Sequence, residues 1–268
     1  MLKLGFIGAG NMGSAILRGL IAAEYLMPED MAICDLNTRR LEELSDQYPG
    51  LTCTESDVEL AEMCDMIILA VKPFFMAEVI DHIRDEISGK AIISIAAGWT
   101  VEQLAEKLSG SGATCLRVMP NTPAMVGEGM TALCEETTFS EEDLEFAKGI
   151  FDSVGRTVIV PERLMDGVIA ISGSSPAYVY MMIEAMADAG VKEGLYRSTA
   201  YEMAAQAVLG SALMVLQSGT HPAALKDAVC SPGGTTIEAV EELERKGFRA
   251  AIMDAMKVCA QKSRDMTK

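Results

Sequence analysis

The pattern GAGNMG at residues 8–13 constrains the fold of this chain more than any other stretch. It follows the apolar run LKLGFI and precedes an amphipathic segment, so its glycines fall on a turn from a strand to a helix. Gly8 permits the tight turn, Gly10 lets the backbone approach a pyrophosphate, and Gly13 allows close packing of helix on strand. Asp35 ends the next apolar run. In dinucleotide-binding folds, a carboxylate at this position accepts hydrogen bonds from the ribose hydroxyls. The pattern therefore predicts a dinucleotide site in a Rossmann-type domain.

The first half of the chain alternates short apolar runs with amphipathic segments. Runs that are apolar on both faces and separated by helices indicate parallel strands covered on both sides, as in a doubly wound α/β sheet. Strands are predicted at 2–7, 31–35, 51–53, 66–71, 91–96, 114–119, 131–135 and 157–161. Helices are predicted at about 12–24, 37–48, 56–63, 75–87, 100–108 and 140–153.

After Pro161 the strand-like runs give way to helical periodicity, with GSSP, SGTHP and SPGG as interruptions. We therefore expect a dinucleotide-binding domain at 1–161 and an all-α domain at 162–268. The segment AYVYMMIEAMADAGV at 177–191 is apolar almost all round, which predicts a helix buried on most sides. A small helical domain cannot cover such a helix alone, so a subunit interface is expected there.

Charge narrows the classes of partner. The chain has 22 basic and 39 acidic residues, a formal net charge of −17. Such a surface repels phosphate backbones and anionic lipids, so we expect neither nucleic acid nor a membrane as partner. An anionic small molecule would need a region of positive electrostatic potential on this negative surface. A helix N-terminus can supply such a region without any lysine.

Cysteine and histidine usage points to a reducing compartment and away from a metal centre. The seven cysteines include no CxxC pair and are scattered through apolar segments, which is typical of buried cytoplasmic thiols. His82 and His221 are the two histidines, too far apart in sequence for the usual zinc spacing, so no metal site is expected. In the first half the longest plainly apolar stretch, 66–71, is too short to span a membrane. The sequence predicts a soluble cytoplasmic protein.

Cofactor type is left open by the residues after the second predicted strand. Asp35 favours NAD, because a carboxylate there repels the 2′-phosphate of NADP. Arg39 and Arg40 follow closely and could instead clamp that phosphate. Beyond the fourth strand, Lys72 in AVKP lies at the carboxyl edge of the sheet, where ligands of such folds bind, or is an ordinary surface lysine. Trp99, in IAAGWT after the fifth strand, either lies near the cofactor or only packs against neighbouring side chains.

The stretch CSPGGTT at 230–236 lies between two predicted helices. We expect Pro232 to start the second of these helices and the glycines to leave its first amides bare. The threonines would place hydroxyls on its first turn. Such an opening attracts anions. It also fits an ordinary N-terminal cap.

Five motifs in order, GFIGAGNMGSAI, AVKP, MPNTP, ISGSSPAY and LKDAVCSPGGTT, resemble the pyrroline-5-carboxylate reductase family over essentially the whole chain. The resemblance implies a Rossmann domain that binds NADP or NAD in its reduced form. It also implies a helical domain that forms an intertwined homodimer, which often assembles further into decamers. The implied reaction is hydride transfer to the C=N bond of 1-pyrroline-5-carboxylate, the last step of proline biosynthesis.

The resemblance also implies roles for individual residues. The substrate carboxylate would be held chiefly by the amides of Gly234 and Thr235 with the hydroxyls of Ser231 and Thr236. From the chemistry of imine reduction, we choose Thr236 as the catalytic assistant at the ring nitrogen, with Tyr178 a weaker candidate. The implied cofactor residues, together with the glycine pattern and Asp35, are Gly8, Ala9, Gly10, Asn11, Met12, Gly13, Asp35, Val71, Lys72 and Ala97. The implied substrate residues are Glu162, Ser231, Gly233, Gly234, Thr235 and Thr236.

The chain departs from the family pattern at four positions. Ser175 replaces a glycine of the usual SGSGPAY, which puts local backbone freedom in doubt. Asp35 stands where some members have a serine that contacts the 2′-phosphate. Asp57 and Ala228 stand where some members have cofactor-contacting asparagines, so those contacts do not carry over.

Two other enzyme classes and one non-enzyme stay open as alternatives. A two-domain hydroxyacid dehydrogenase would need a lysine on the helix after the SG-rich loop, and the first lysine there is Lys192. A related cyclic-imine reductase would use the same site on a different ring. A dinucleotide-sensing protein would keep the glycine pattern without a reason to keep SPGGTT.

Overall fold

The computed structural model describes residues 3–266, so Leu2 of the first predicted strand and the last two residues lie outside the described chain. The chain forms two compact units. The first unit contains residues up to Ser174 together with the end of the last helix from Cys259, and the second runs from Ser175 to Val258. This division by contacts falls after the sequence-predicted boundary at residue 161, which stays a prediction.

An eight-stranded sheet forms the centre of the first unit, in the order β3-β2-β1-β4-β5-β6-β7-β8. All neighbouring strands are parallel except β6 and β7, which are antiparallel. This order confirms the predicted doubly wound sheet, which the last two strands extend. The strands are β1 Leu4–Ile7, β2 Met31–Cys34, β3 Thr52–Thr54, β4 Met66–Leu69, β5 Ala91–Ser94, β6 Thr114–Met119, β7 Gly129–Cys134 and β8 Gly155–Val160.

The central strands are buried on both faces because helices cover each side. One cluster of buried side chains includes Ile16, Leu17 and Phe151, and the other includes Leu60 and Leu104. Four of the covering helices begin with side-chain caps, including a reciprocal capping box between Thr100 and Gln103. The covering helices are α1 Asn11–Ala22, α2 Thr38–Gln47, α3 Asp57–Met63, α4 Met76–His82, α5 Val101–Lys107 and α6 Glu141–Asp152.

The rest of the chain is helical, as predicted. A π-helical turn, Ile169–Gly173, separates the short α7 from α8. Ser175 begins α8 without a positive φ, so the backbone freedom of a glycine is not needed at that position. The helices are α7 Met165–Val168, α8 Ser175–Lys192, α9 Arg197–Ser218, α10 Pro222–Val229, α11 Thr235–Arg245 and α12 Phe248–Met266.

Small residues bring α8 and α9 together. A Cβ added at Gly190 would lie 3.3 Å from the Cβ of Ala200. Ala187 is the buried residue of α8 within one chain, so the predicted burial of this helix on most sides would need the subunit interface expected there. Met181 stays 69% exposed, because α9 covers only one side of α8.

Within residues 3–266 one helix, α9, is long and apolar enough to cross a membrane by length and composition. One such helix is weak support for a membrane span, since helices of soluble proteins also meet these criteria. Only 11% of its apolar window is buried within the chain. Its apolar surface therefore needs a partner or another environment.

Helix α1 ends in a Schellman motif that places a glutamate in an unfavourable backbone conformation. Tyr25 N–H donates to Leu20 O and Glu24 N–H donates to Ile21 O, each at 3.0 Å. Glu24 has φ +53, in the left-handed region that favours glycine.

We expect Glu24→Gly to stabilise the fold by about 0.5–1 kcal/mol, because glycine relieves the left-handed strain at this exposed position. The matched control is Glu42→Gly in the exposed middle of α2, which should destabilise the fold by about 1 kcal/mol. Urea unfolding of both variants measures the difference. Equal destabilisation by the two substitutions would contradict the strain at Glu24.

Candidate active site

The glycine loop between β1 and α1 runs close to the end of β4. Gly8 has φ +110, and a Cβ added there would lie 2.7 Å from Ala70 O. A Cβ added at Gly13 would collide with Gly8 O. At Gly10 the nearest atom to an added Cβ is Ala70 O at 4.0 Å. The first two positions require glycine for packing, whereas the space at Gly10 is open to a ligand.

The start of α1 fits a pyrophosphate. Gly10 is the N-cap residue and provides no side-chain cap, so the first amides of the helix, from Asn11 onward, have no side-chain acceptor from the cap. Uncapped amides at a helix N-terminus attract anionic oxygens. The amides of Gly8 and Ala9 are already engaged, because Gly8 N–H donates to Cys34 O at 2.8 Å and Ala9 N–H donates to Asp35 Oδ2 at 2.7 Å.

Asp35 holds the glycine loop. Its Oδ2 accepts from Ala9 N–H, and its Oδ1 accepts from Asn37 N–H at 2.9 Å. Each carboxylate oxygen keeps a second lone pair, so a ribose hydroxyl could still donate to it. The carboxylate therefore has a structural task that the sequence did not reveal.

A small cavity lies at the start of α2. It has a volume of about 280 Å³ and is lined by Asn37, Arg39, Arg40 and Glu43. Arg40 Nη2 donates to Asn11 Oδ1 at 3.3 Å, which brings this guanidinium to the first residue of α1. Arg39 pairs with Glu43 at 3.1 Å on the exposed surface. The chain thus offers both a carboxylate and two guanidinium groups beside the second strand.

Val71, Lys72 and Ala97 follow the carboxyl ends of two neighbouring parallel strands. Leu69, the last residue of β4, pairs with Ser94, the last residue of β5. Because both strands end at the same edge, the loops after them lie side by side beyond the glycine loop. Within residues 3–266 Lys72 is exposed and makes no ion pair, so its charge is available to a ligand.

Glu162, the residue predicted near the substrate, is held in place by a buried arginine. Its Oε1 accepts from Arg117 Nη1 at 2.8 Å and from Val101 N–H at 2.6 Å. Arg117 is 2% exposed and the Glu162 side chain 25%. Removing one partner of such a pair leaves a buried charge without compensation. Arg117 was not among the predicted residues, although an arginine inside the apolar strand TCLRVM was a signal for a buried partner.

Asn121 of the MPNTP motif is a buried link between two segments of the first unit. Its Oδ1 accepts from Met130 N–H at 2.8 Å, and its Nδ2 donates to Ser172 O at 3.1 Å. Ser172 belongs to the π-helical turn. The amide therefore joins the start of β7 to the SG-rich segment.

The predicted carboxylate site lies in the second unit, and its helix begins later than expected. Pro232 does not start the helix; α11 begins at Thr235. Gly234 N–H donates to Ser231 O at 3.0 Å, and Gly233 has φ +66, so Pro232 and Gly233 form the middle of a tight turn.

This turn leaves the start of α11 open. Gly234 is the N-cap residue without a side-chain cap, and a Cβ added there would collide with Ser231 Oγ. Thr235 is exposed and Thr236 half-buried, on the first helical turn. The arrangement places amides and hydroxyls of the predicted set within one short turn.

The seven cysteines are free thiols, and burial holds three of them protonated. Burial raises the pKa of Cys34 to about 12, with the charges of Asp57 and Asp35 adding to the effect. Burial raises the pKa of Cys64 to about 11 and that of Cys134 to about 12. These three thiols therefore offer no thiolate nucleophile at neutral pH.

The predicted residues thus form two groups. The cofactor residues gather at the carboxyl edge of the sheet in the first unit, which also contains Glu162. The remaining substrate residues gather in the turn before α11 in the second unit.

Two family models match the chain in separate segments. One described as pyrroline-5-carboxylate reductase dimerisation matches residues 162–266. One described as NADP oxidoreductase, coenzyme F420-dependent, matches residues 3–98. These segments correspond to the helical part and to most of the dinucleotide-binding part.

Relatives match over the whole length. The pyrroline-5-carboxylate reductase of Escherichia coli (strain K12) is 48% identical over 267 residues, covering 99% of this chain and 98% of the relative. That of Methanosarcina acetivorans is 42% identical with the same coverage. The crystal structure of Plasmodium falciparum pyrroline carboxylate reductase with NADP bound has a TM-score of 0.89 at 37% identity, covering 100% of this chain and 98% of that one. A Streptomyces aurantiacus imine reductase, at 14% identity and TM-score 0.57, shares the fold. The chain belongs to the pyrroline-5-carboxylate reductase family.

Proposed function

We propose that this chain reduces the C=N bond of 1-pyrroline-5-carboxylate with a hydride from NADPH or NADH and gives L-proline, the last step of proline biosynthesis. The observation that carries the proposal is the match to enzymes of that name along the whole chain, 48% identical in the Escherichia coli case. The matched length includes both the glycine loop and the SPGGTT turn.

A hydroxyacid dehydrogenase is disfavoured, because α8 carries no lysine before Lys192.

The pyrophosphate of the cofactor would bind at the start of α1, through amides near Gly10, Asn11 and Met12. Gly8 and Gly13 allow the close packing that keeps this loop in place. The bound cofactor would supply a hydride to the substrate. Val71, Lys72 and Ala97 would orient its reactive end from the two loops after β4 and β5.

Cofactor choice rests on two opposed features beside the second strand. The Arg39 and Arg40 guanidinium groups would favour NADPH by pairing with its 2′-phosphate, while the Asp35 carboxylate would favour NADH. Initial rates with the two cofactors in parallel decide between these readings. A higher kcat/KM with NADPH supports the arginine site, and a higher value with NADH supports Asp35.

The carboxylate of the substrate would bind in the turn before α11. The amides of Gly234 and Thr235 and the hydroxyl of Ser231 would hold it, and the positive end of the helix dipole adds attraction. Gly233 would contribute by its left-handed backbone, which closes the turn. In a chain with a net charge of −17, this local field would offset the general repulsion of an anion.

Catalysis would depend mainly on holding the ring in position, because hydride attack on a protonated imine needs little further help. The Thr236 hydroxyl would hydrogen-bond the ring nitrogen as the C=N bond becomes a C–N bond with an N–H. Glu162 stays in the proposal as a carboxylate near the substrate, fixed by Arg117.

The protein would work in the cytoplasm as a homodimer through its helical part, and these dimers would assemble further into decamers. Exposed apolar side chains on α8 and α9, including Met181 at 69% and Met203 at 57% exposure, support such an interface.

Light scattering should give at least twice the 28.7 kDa mass of one chain. A monomer at micromolar concentration would contradict the dimer, and partition into detergent or lipid would favour a membrane role for α9.

Replacing Thr236 with alanine should lower kcat/KM for 1-pyrroline-5-carboxylate by about 100-fold, the usual range for loss of a positioned acid–base group. The dissociation constant for NADPH should stay unchanged, because the residue lies outside the cofactor group. Steady-state kinetics and calorimetric titration measure the two quantities.

The matched control is Thr236→Ser, which keeps the hydroxyl and should retain activity within about tenfold of the wild type. Full activity in the alanine variant would remove Thr236 from the mechanism. A wild-type protein that binds cofactor but reduces no imine would favour the sensing alternative.

A further inference from the structure

We propose that the indole N–H of Trp99 is a positioning group that fixes the separation of the loops 70–73 and 96–99, and thereby sets the affinity for the nicotinamide cofactor. The inference rests on the proposed function, because the cofactor contacts of these loops are themselves proposed. Trp99 is the single tryptophan of the sequence, and nothing in the proposed chemistry uses it.

The two loops begin at neighbouring strands. Strands β4 and β5 are parallel and in register up to Leu69 and Ser94. The backbone ladder continues to the hydrogen bond that Ile95 N–H donates to Leu69 O at 3.3 Å. Beyond this bond, the segment after β4 and the segment after β5 each form a loop.

A side-chain hydrogen bond joins the two loops again, four residues after Leu69 on one loop and four residues after Ile95 on the other. Trp99 Nε1–H donates to Pro73 O at 2.9 Å, and both groups are partly buried. Pro73 O also accepts from Met76 N–H, which closes the short helical turn Pro73–Phe75. The indole therefore bonds to a carbonyl that is itself held rigidly.

The predicted cofactor residues lie between these two links. Val71 and Lys72 are enclosed on one loop and Ala97 on the other. With both ends tied, the spacing between the two sets is fixed before a cofactor arrives. Groups that are held in place beforehand lose less entropy when a ligand binds.

The local backbone directs the indole to this position. Gly98 is buried with φ +83, and a Cβ added there would approach Met266 Cβ to 3.3 Å. The chain therefore turns at Gly98, and the Trp99 indole that follows lies against Pro73. The Trp99 ring also packs against the buried cluster of Leu104. A packing role needs only the ring, whereas the bond to Pro73 needs the N–H, and this difference can be tested.

The test removes the N–H in two ways. Trp99→Phe keeps an aromatic ring without a donor. Because the chain has a single tryptophan, biosynthetic replacement by benzothienylalanine exchanges only this N–H for sulfur and keeps the shape. The matched control is Tyr25→Phe, which removes the hydrogen bond from Tyr25 Oη to Phe146 O, away from both loops.

The dissociation constants for NADPH and NADH, measured by calorimetry without substrate, should rise about three- to tenfold in both altered proteins, the effect of losing one hydrogen bond. The KM for the cofactor should rise in parallel, while kcat at saturating cofactor stays within about twofold. The control should leave all these values unchanged.

Three outcomes would overturn the inference, and they differ in what else they overturn. Unchanged affinity in both altered proteins would show that the N–H does not position the loops. Weaker binding by Trp99→Phe alone would assign the effect to ring packing. A wild-type protein that binds neither cofactor would overturn the proposed function as well, whereas the first two results leave that function standing.

Discussion

The close approach of the glycine loop to the end of β4 is the constraint on which the rest of the first unit depends. Gly8 and Ala70 come so near that any side chain at Gly8 would collide with the Ala70 carbonyl. Asp35 then fixes the same loop from the other side through Ala9 N–H. With the loop held between β2 and β4, the open start of α1 lies at the carboxyl edge of the sheet. The proposed cofactor residues of the neighbouring loops lie at the same edge.

Backbone amides, more than basic side chains, would give this acidic protein its proposed capacity for anions. The starts of α1 and α11 both have glycine as N-cap and no side-chain cap. In each case the helix dipole and uncapped amides create a local positive potential within a chain of net charge −17. Lys72 and the arginines of α2 would add positive charge beside the first of these proposed sites. Because both helices start in this way, we propose that one start binds the pyrophosphate and the other binds the substrate carboxylate.

The sheet was predictable from the sequence, because its central strands are apolar on both faces and four of its covering helices begin with side-chain caps. It failed where a role depends on long-range contacts. Asp35 looked like a ribose ligand, yet it also holds Ala9 from 26 positions away. Glu162 was predicted only to lie near the substrate, whereas its carboxylate is held by Arg117, 45 positions earlier in the chain. Pro232 looked like the start of a helix because proline is common there, whereas Gly233 turns the chain first. Composition indicated that α8 needs more cover than one chain supplies, and the subunit interface expected there stays a prediction.

The central claim is direct hydride transfer to the imine carbon, and deuterium labelling tests it most directly. The purified protein would be incubated with 1-pyrroline-5-carboxylate and NADPH carrying two deuterium atoms at C4 of the nicotinamide, with the NADH counterpart in parallel. The account predicts proline one mass unit heavier, with the deuterium at C5. Unlabelled proline, or no proline with either cofactor, would contradict it.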